Sequence, residues 1–171
     1  MGHLEGSQAS RFAQCADDQG KRMLVLSHHQ LFSAYDERNE GTTPIAQALG
    51  DTLARRPVDV WFWGHEHYCL GYEKFGGVDA ARVIGHGAVP TAPLTTPGTA
   101  VNGNPDVIKP NVDANAGAAQ RAVKWEYHGT RTETDGTPRE KHGFVVVDLE
   151  DDHLHAEYFD DEGQRFLAED L

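Results

Sequence analysis

Apolar positions along this chain change period several times, and each change marks an element. Over residues 4–19, Ala9, Phe12, Ala13 and Ala16 recur at helical spacing. This predicts a short amphipathic helix with Ser7 as its cap and Gly20 past its end. Met23-Leu24-Val25-Leu26 is then a compact apolar run between Lys21-Arg22 and Ser27-His28-His29, as expected of a parallel strand buried on both faces. Thr42-Thr43-Pro44 is a helix entry, with proline at the tolerated first position. Ile45, Leu49 and Leu53 follow at four-residue intervals, and Arg55-Arg56-Pro57 closes that helix with charge suited to its C-terminal dipole. Val58-Asp59-Val60-Trp61-Phe62-Trp63 is the next strand. Helix, strand, helix, strand implies a parallel α/β layer.

Further on the texture changes. Residues 68–74 and 81–85 read as strands about a Gly76-Gly77 turn. Residues 95–142 hold most of the Pro, Gly, Asn and Thr and few large apolar groups, so they are expected to form a long loop or insertion. Order is expected again over 143–149 and 153–159, a hairpin turning at Glu150-Asp151-Asp152. The expected strands thus lie near 22–27, 58–63, 68–74, 81–85, 143–149 and 153–159, in one domain spanning 1–171.

Composition narrows the partners. The chain has 171 residues, with 27 acidic against 15 basic side chains and a formal net charge of −12. Such a balance argues against a phosphate-backbone binder and against attraction to an anionic membrane surface. No apolar run reaches the roughly 18 residues of a membrane-spanning helix. The two cysteines, Cys15 and Cys69, form no Cys-x-x-Cys pair, which makes a reducing, cytoplasmic setting the default expectation. Histidine is the outlier, with ten in the chain.

Two histidine groups end predicted strands. His28-His29 follows Leu24-Val25-Leu26-Ser27, and Gly64-His65-Glu66-His67 follows the Trp61-Phe62-Trp63 strand. In open α/β sheets ligands collect beyond the carboxyl ends of the strands. On an extended chain His65 and His67 project to one side, whereas on a helix they diverge by about 200°. Imidazoles converging from two strand ends suit Zn, Mn or Fe better than Ca or Mg. His86, between Gly85 and Gly87 at another strand end, is a candidate for facing substrate. His128, His142, His153 and His155 read as solvated, and Trp61, Phe62 and Trp63 as core.

Together these segments resemble the C-terminal half of a calcineurin-like metallophosphoesterase, the superfamily that includes the purple acid phosphatases. The resemblance rests on Leu24-Val25-Leu26-Ser27-His28-His29 followed by Asp59-Val60-Trp61-Phe62-Trp63-Gly64-His65-Glu66-His67. It extends over about 4–94 and 143–163 through the strand before Gly85-His86-Gly87 and the closing hairpin. It implies the C-terminal part of an α/β/β/α sandwich. It also implies two divalent or trivalent transition metals (Mn, Fe or Zn), bridged in that family by a carboxylate and a hydroxide that attacks phosphorus. On this pattern His28 and His65 hold one metal and His67 the other, while His29 faces substrate at most.

The chain departs from the family in its first half. Nothing before His28 supplies the Asp-x-His, Gly-Asp-x-x-Asp and Gly-Asn-His-Asp/Glu motifs that carry the bridging carboxylate. Gly50-Asp51, Gly103-Asn104 and Asp151-Asp152-His153 imitate pieces of them out of order. The expectation is therefore one part of a phosphomonoesterase or phosphodiesterase, with a phosphate ester as substrate and weak metal binding in this chain alone. Its partner would be the missing half, or a second copy through an unpaired sheet edge. The alternative is a non-catalytic metal-binding or interaction module.

Overall fold

The computed structural model describes residues 3–18, 20–35, 43–89, 91–151 and 153–171. Asp152 and Thr42, which figure in the sequence reading, lie outside these. Along the chain run α1 (Gln8–Ala16), β1 (Leu24–Ser27), α2 (Pro44–Arg55), β2 (Val58–Trp63), β3 (Cys69–Tyr72) and β4 (Val78–Ile84). There follow a 3-10 turn (Gly85–Gly87), β5 (Gly98–Val101), β6 (Asn104–Pro110), α3 (Ala118–Arg121) and β7 (Val123–Tyr127). The chain closes with β8 (Thr130–Thr132), β9 (Pro138–Glu140), β10 (Gly143–Glu150), β11 (His153–Asp160) and β12 (Arg165–Asp170).

Seven strands form one mixed sheet in the order β1-β2-β4-β3-β7-β6-β5. The β1–β2 and β2–β4 pairs are parallel and the rest antiparallel, so the parallel layer is the α/β part expected from the sequence. Over residues 60–63, period-two alternation along β2 divides the core, and Val58 at the strand start joins the helix side. Val58, Trp61 and Trp63 pack with Ile45, Leu49 and Leu53 of α2, with Phe12 of α1 against them. Val60 and Phe62 pack instead with Leu154, Ala156 and Tyr158 of β11 and with Phe166 and Leu167 of β12. Helices therefore cover one face of the sheet, and the three-stranded sheet β10-β11-β12 covers the other.

Local chemistry explains the helix starts unequally. Thr43 caps α2: its hydroxyl oxygen accepts from Ala46 N at 3.1 Å while its O–H donates to the Leu31 carbonyl at 2.7 Å, and Pro44 opens the helix. Ser7 makes no such side-chain cap on α1. Gln8 Oε1 takes the Glu5 N–H at 2.7 Å instead.

Two expectations are corrected here. The stretch 95–142 is mostly regular, holding β5 to β9 and α3, and β7 runs through the interior of the large sheet with Val123, Trp125 and Tyr127 buried. The closing hairpin is a three-stranded meander, because β12 adds to β11 after a register shift at Tyr158/Phe159. Among the described residues no helix is long and apolar enough to cross a membrane.

Candidate metal centre

Parallel pairing of β1 with β2 sets Ser27 opposite Trp63, so the residues that follow both strands emerge side by side. The chain leaving β1 turns at once. Ser27 Oγ donates to the His29 carbonyl at 2.8 Å and accepts from Trp61 Nε1 at 2.9 Å, and Gly64 N donates to the Ser27 carbonyl at 3.3 Å. The outcome is a group of three imidazoles, His28, His29 and His65, whose ligand nitrogens all lie within 4.8 Å of one another. Ring centroids are 4.7 Å apart for His28–His29, 5.2 Å for His28–His65 and 4.4 Å for His29–His65.

The surroundings of His29 favour its ligating form. Burial, and then repulsion from His65 and His28, push the His29 pKa down from its usual value, which favours the neutral ring. His29 Nδ1 is buried and has no hydrogen-bond partner. A buried ring nitrogen left unmatched costs free energy that a bound ion or ligand recovers. Two nitrogens on one zinc ion, each at about 2.0–2.1 Å, stand no more than ~4.2 Å apart. The His28 and His65 side chains are exposed, so closing from 4.8 Å to that spacing asks only for side-chain rotation.

His67 does not join the three. The extended path expected across 65–67 is absent, because His65 adopts the left-handed region at φ 64° and Glu66 N donates to the Gly64 carbonyl at 2.7 Å. A tight turn in place of a strand breaks the alternation that would have aligned His65 with His67. Such a backbone costs a non-glycine residue about 1–2 kcal/mol. The turn is enclosed from the other side by Gly85. A Cβ there would lie 1.8 Å from the Glu66 carbonyl oxygen, so only glycine admits this approach.

His86 is not open at its strand end. Its side chain is buried against the Gly143 backbone, with Tyr127 and Phe166 nearby, and neither ring nitrogen has a hydrogen-bond partner. Burial, and then the His142 ring beside it, lower its pKa to about 4, partly offset by the Ile84 backbone and Asp161. His128 is not solvated either: its Nε2 is 2.9 Å from Glu126 Oε2, and Glu126 also accepts from Tyr35 Oη. His142 Nε2 is likewise buried and unpartnered. His153 and His155 are exposed as expected, with His155 paired to Asp170.

His29 is the member of the group that the sequence pattern did not rank as a ligand. Its signal was present as the second residue of an adjacent pair after a strand, where a sharp turn brings consecutive rings to one site. Compared with known proteins, the chain matches no family model and no curated protein.

Proposed function

We propose that His28, His29 and His65 hold a transition-metal ion, and that the chain contributes this histidine side of a metal-dependent phosphoesterase site. The reading is carried by one observation: three imidazoles from the ends of two adjacent parallel strands converge around a buried, unpartnered ring nitrogen. Neutral imidazoles are the donor set of Zn, Mn or Fe sites rather than Ca or Mg sites. Such an ion supplies Lewis-acid polarisation of a phosphoryl oxygen. The chain's own part is to present the nitrogens: burial and the neighbouring rings favour the neutral form of His29, and the turns at Ser27 and Gly64 hold the rings together. The α/β/β/α sandwich of the metallophosphoesterases is the frame this reading assigns to the helices, the large sheet and the β10–β12 sheet. His67, on the same loop, serves a second metal in that frame.

A second reading has its own support. Among the described residues the imidazole group contains no carboxylate. A site of three neutral ligands suits one ion, and lacks the bridge that holds two metals close enough to share a nucleophile. On that reading the chain is a mononuclear metal-binding module. For hydrolysis, carboxylates must then come from another polypeptide segment.

Titration calorimetry with Zn²⁺ and Mn²⁺, alongside turnover of a chromogenic phosphate ester, separates the two. The expected outcome is metal binding by the wild type that His65→Ala abolishes, with little turnover by the chain alone. Robust turnover lost in both His65→Ala and His67→Ala would show that carboxylates within this chain complete the site. No binding of either ion by the wild type would refute both readings.

A further inference from the structure

Glu66 lies between His65 and His67 but outside the imidazole group, and its carboxylate is divided between two segments. One oxygen, Oε1, accepts from Ser33 Oγ, and the other, Oε2, accepts from Trp63 Nε1 at 3.0 Å. Ser33 is fully buried four residues past His29, and its hydroxyl oxygen also accepts the Tyr35 N–H at 3.0 Å. Trp63 is the fully buried last residue of β2, edge-on to Phe32 at 5.1 Å. A single carboxylate therefore ties the segment that follows His28 and His29 to the strand end that carries His65. It does so from the residue next to the strained His65 backbone, in the tight turn closed by Glu66 N and the Gly64 carbonyl.

We propose that Glu66 is the positioning residue of this metal site: its two-armed clamp holds His65 in its left-handed turn and keeps it facing His28 and His29. The inference rests on the metal-binding reading above. Its physical basis is that a left-handed histidine persists only where its surroundings over-determine it. Charge-assisted hydrogen bonds from two buried donors are a strong means of doing so. Without the carboxylate the turn is free to relax toward an extended path, and His65 moves away from the other two rings. Groups that orient metal ligands from outside typically affect metal affinity by about 10–100-fold when removed.

The test compares wild type, Glu66→Gln and Glu66→Ala. Zn²⁺ affinity is measured by competition with a chromophoric chelator, and the visible absorption of the Co²⁺-loaded protein reports ligand geometry. Melting of the metal-free protein serves as the fold control. Glu66→Ala should weaken Zn²⁺ binding about 10–100-fold and shift the Co²⁺ bands. Glu66→Gln, whose amide oxygen still accepts one of the two hydrogen bonds, should recover most of the affinity and the wild-type spectrum. Ser33→Ala removes one arm with less disturbance and should weaken Zn²⁺ severalfold, which keeps the idea testable where Glu66→Ala fails to fold. Wild-type affinity and an unchanged Co²⁺ spectrum in the folded Glu66→Ala or Ser33→Ala variants would overturn the proposal while leaving the metal site standing. No Zn²⁺ or Co²⁺ binding by the wild type would overturn the metal-binding reading and the proposal with it.

Discussion

Removing the buried imidazole of His86 should flatten the acid sensitivity of folding. In the native protein its pKa is about 4, against 6.5 for an ordinary histidine, because burial and the neighbouring His142 ring disfavour the charged form. The sign follows from linkage. The unfolded chain takes up a proton as pH falls through 6.5, while the folded chain resists until about 4, so stability is lost across that window and levels off below it. A depression of this size corresponds to about 3 kcal/mol in full, of which about 2 kcal/mol is already lost at pH 5. For a chain of this length that is roughly 4–8 °C in Tm. Urea and thermal unfolding of wild type, His86→Leu and His86→Phe at pH 7, 6 and 5 measure it. Other shifted groups, His29 among them, are shared by all three proteins and cancel in the comparison. The variants should lose about 2 kcal/mol less than wild type between pH 7 and 5. Parallel curves, agreeing to within about 0.5 kcal/mol, would refute the account of His86 as a buried neutral ring.

Two further substitutions probe the packing that carries the site. Gly71→Ala places a Cβ 2.5 Å from Trp125 Nε1 and should cost about 1–3 kcal/mol in urea unfolding, whereas Gly50→Ala, with open space around it in α2, should stabilise by up to ~1 kcal/mol. Arg82→Met removes a buried guanidinium and strips the partly buried Glu169 of its contacts at 2.5 and 2.7 Å. It should destabilise by about 3–5 kcal/mol, with part of the loss regained in Arg82→Met/Glu169→Gln, as read from denaturation midpoints.

Legibility in the sequence followed periodicity. The run 58–63 is apolar enough to mark a strand buried on both faces, and its alternation assigns Trp61 and Trp63 to the helix side and Val60 and Phe62 to the β11–β12 side. Capping chemistry located α2, because Thr43 and Pro44 act within their own turn. The region 95–142 was opaque because its strands are short and rich in polar residues. β7 alternates Lys124 and Glu126 with Val123, Trp125 and Tyr127, yet Glu126 is itself buried, satisfied by His128 two residues on and by Tyr35 from distant sequence. No local pattern announces such a partner. β12 was missed for a related reason. Phe166 and Leu167 are adjacent rather than alternating, and both are buried beside the irregular β11–β12 register. At the site, strand ends located the histidines, but their grouping depends on a positive φ at His65, which a histidine code does not encode.

The same topology explains why the proposed site is open on one side. β1 is an edge strand: β2 pairs with one side of it, and among the described residues no strand pairs with the other. His28 and His29 therefore stand at the border of the sheet, with His65 inward of them. Leu26, next to that border, is 72% exposed although β1 is otherwise half-buried and apolar. An exposed leucine beside unpaired backbone donors and acceptors favours pairing with a further strand. A strand added in parallel beside β1 would end next to His28, opposite His65. That is the side from which the carboxylates needed to bridge two metals would have to approach. Under the phosphoesterase reading, completing the sheet and completing the metal site are one event, and metal affinity should rise together with burial of Leu26.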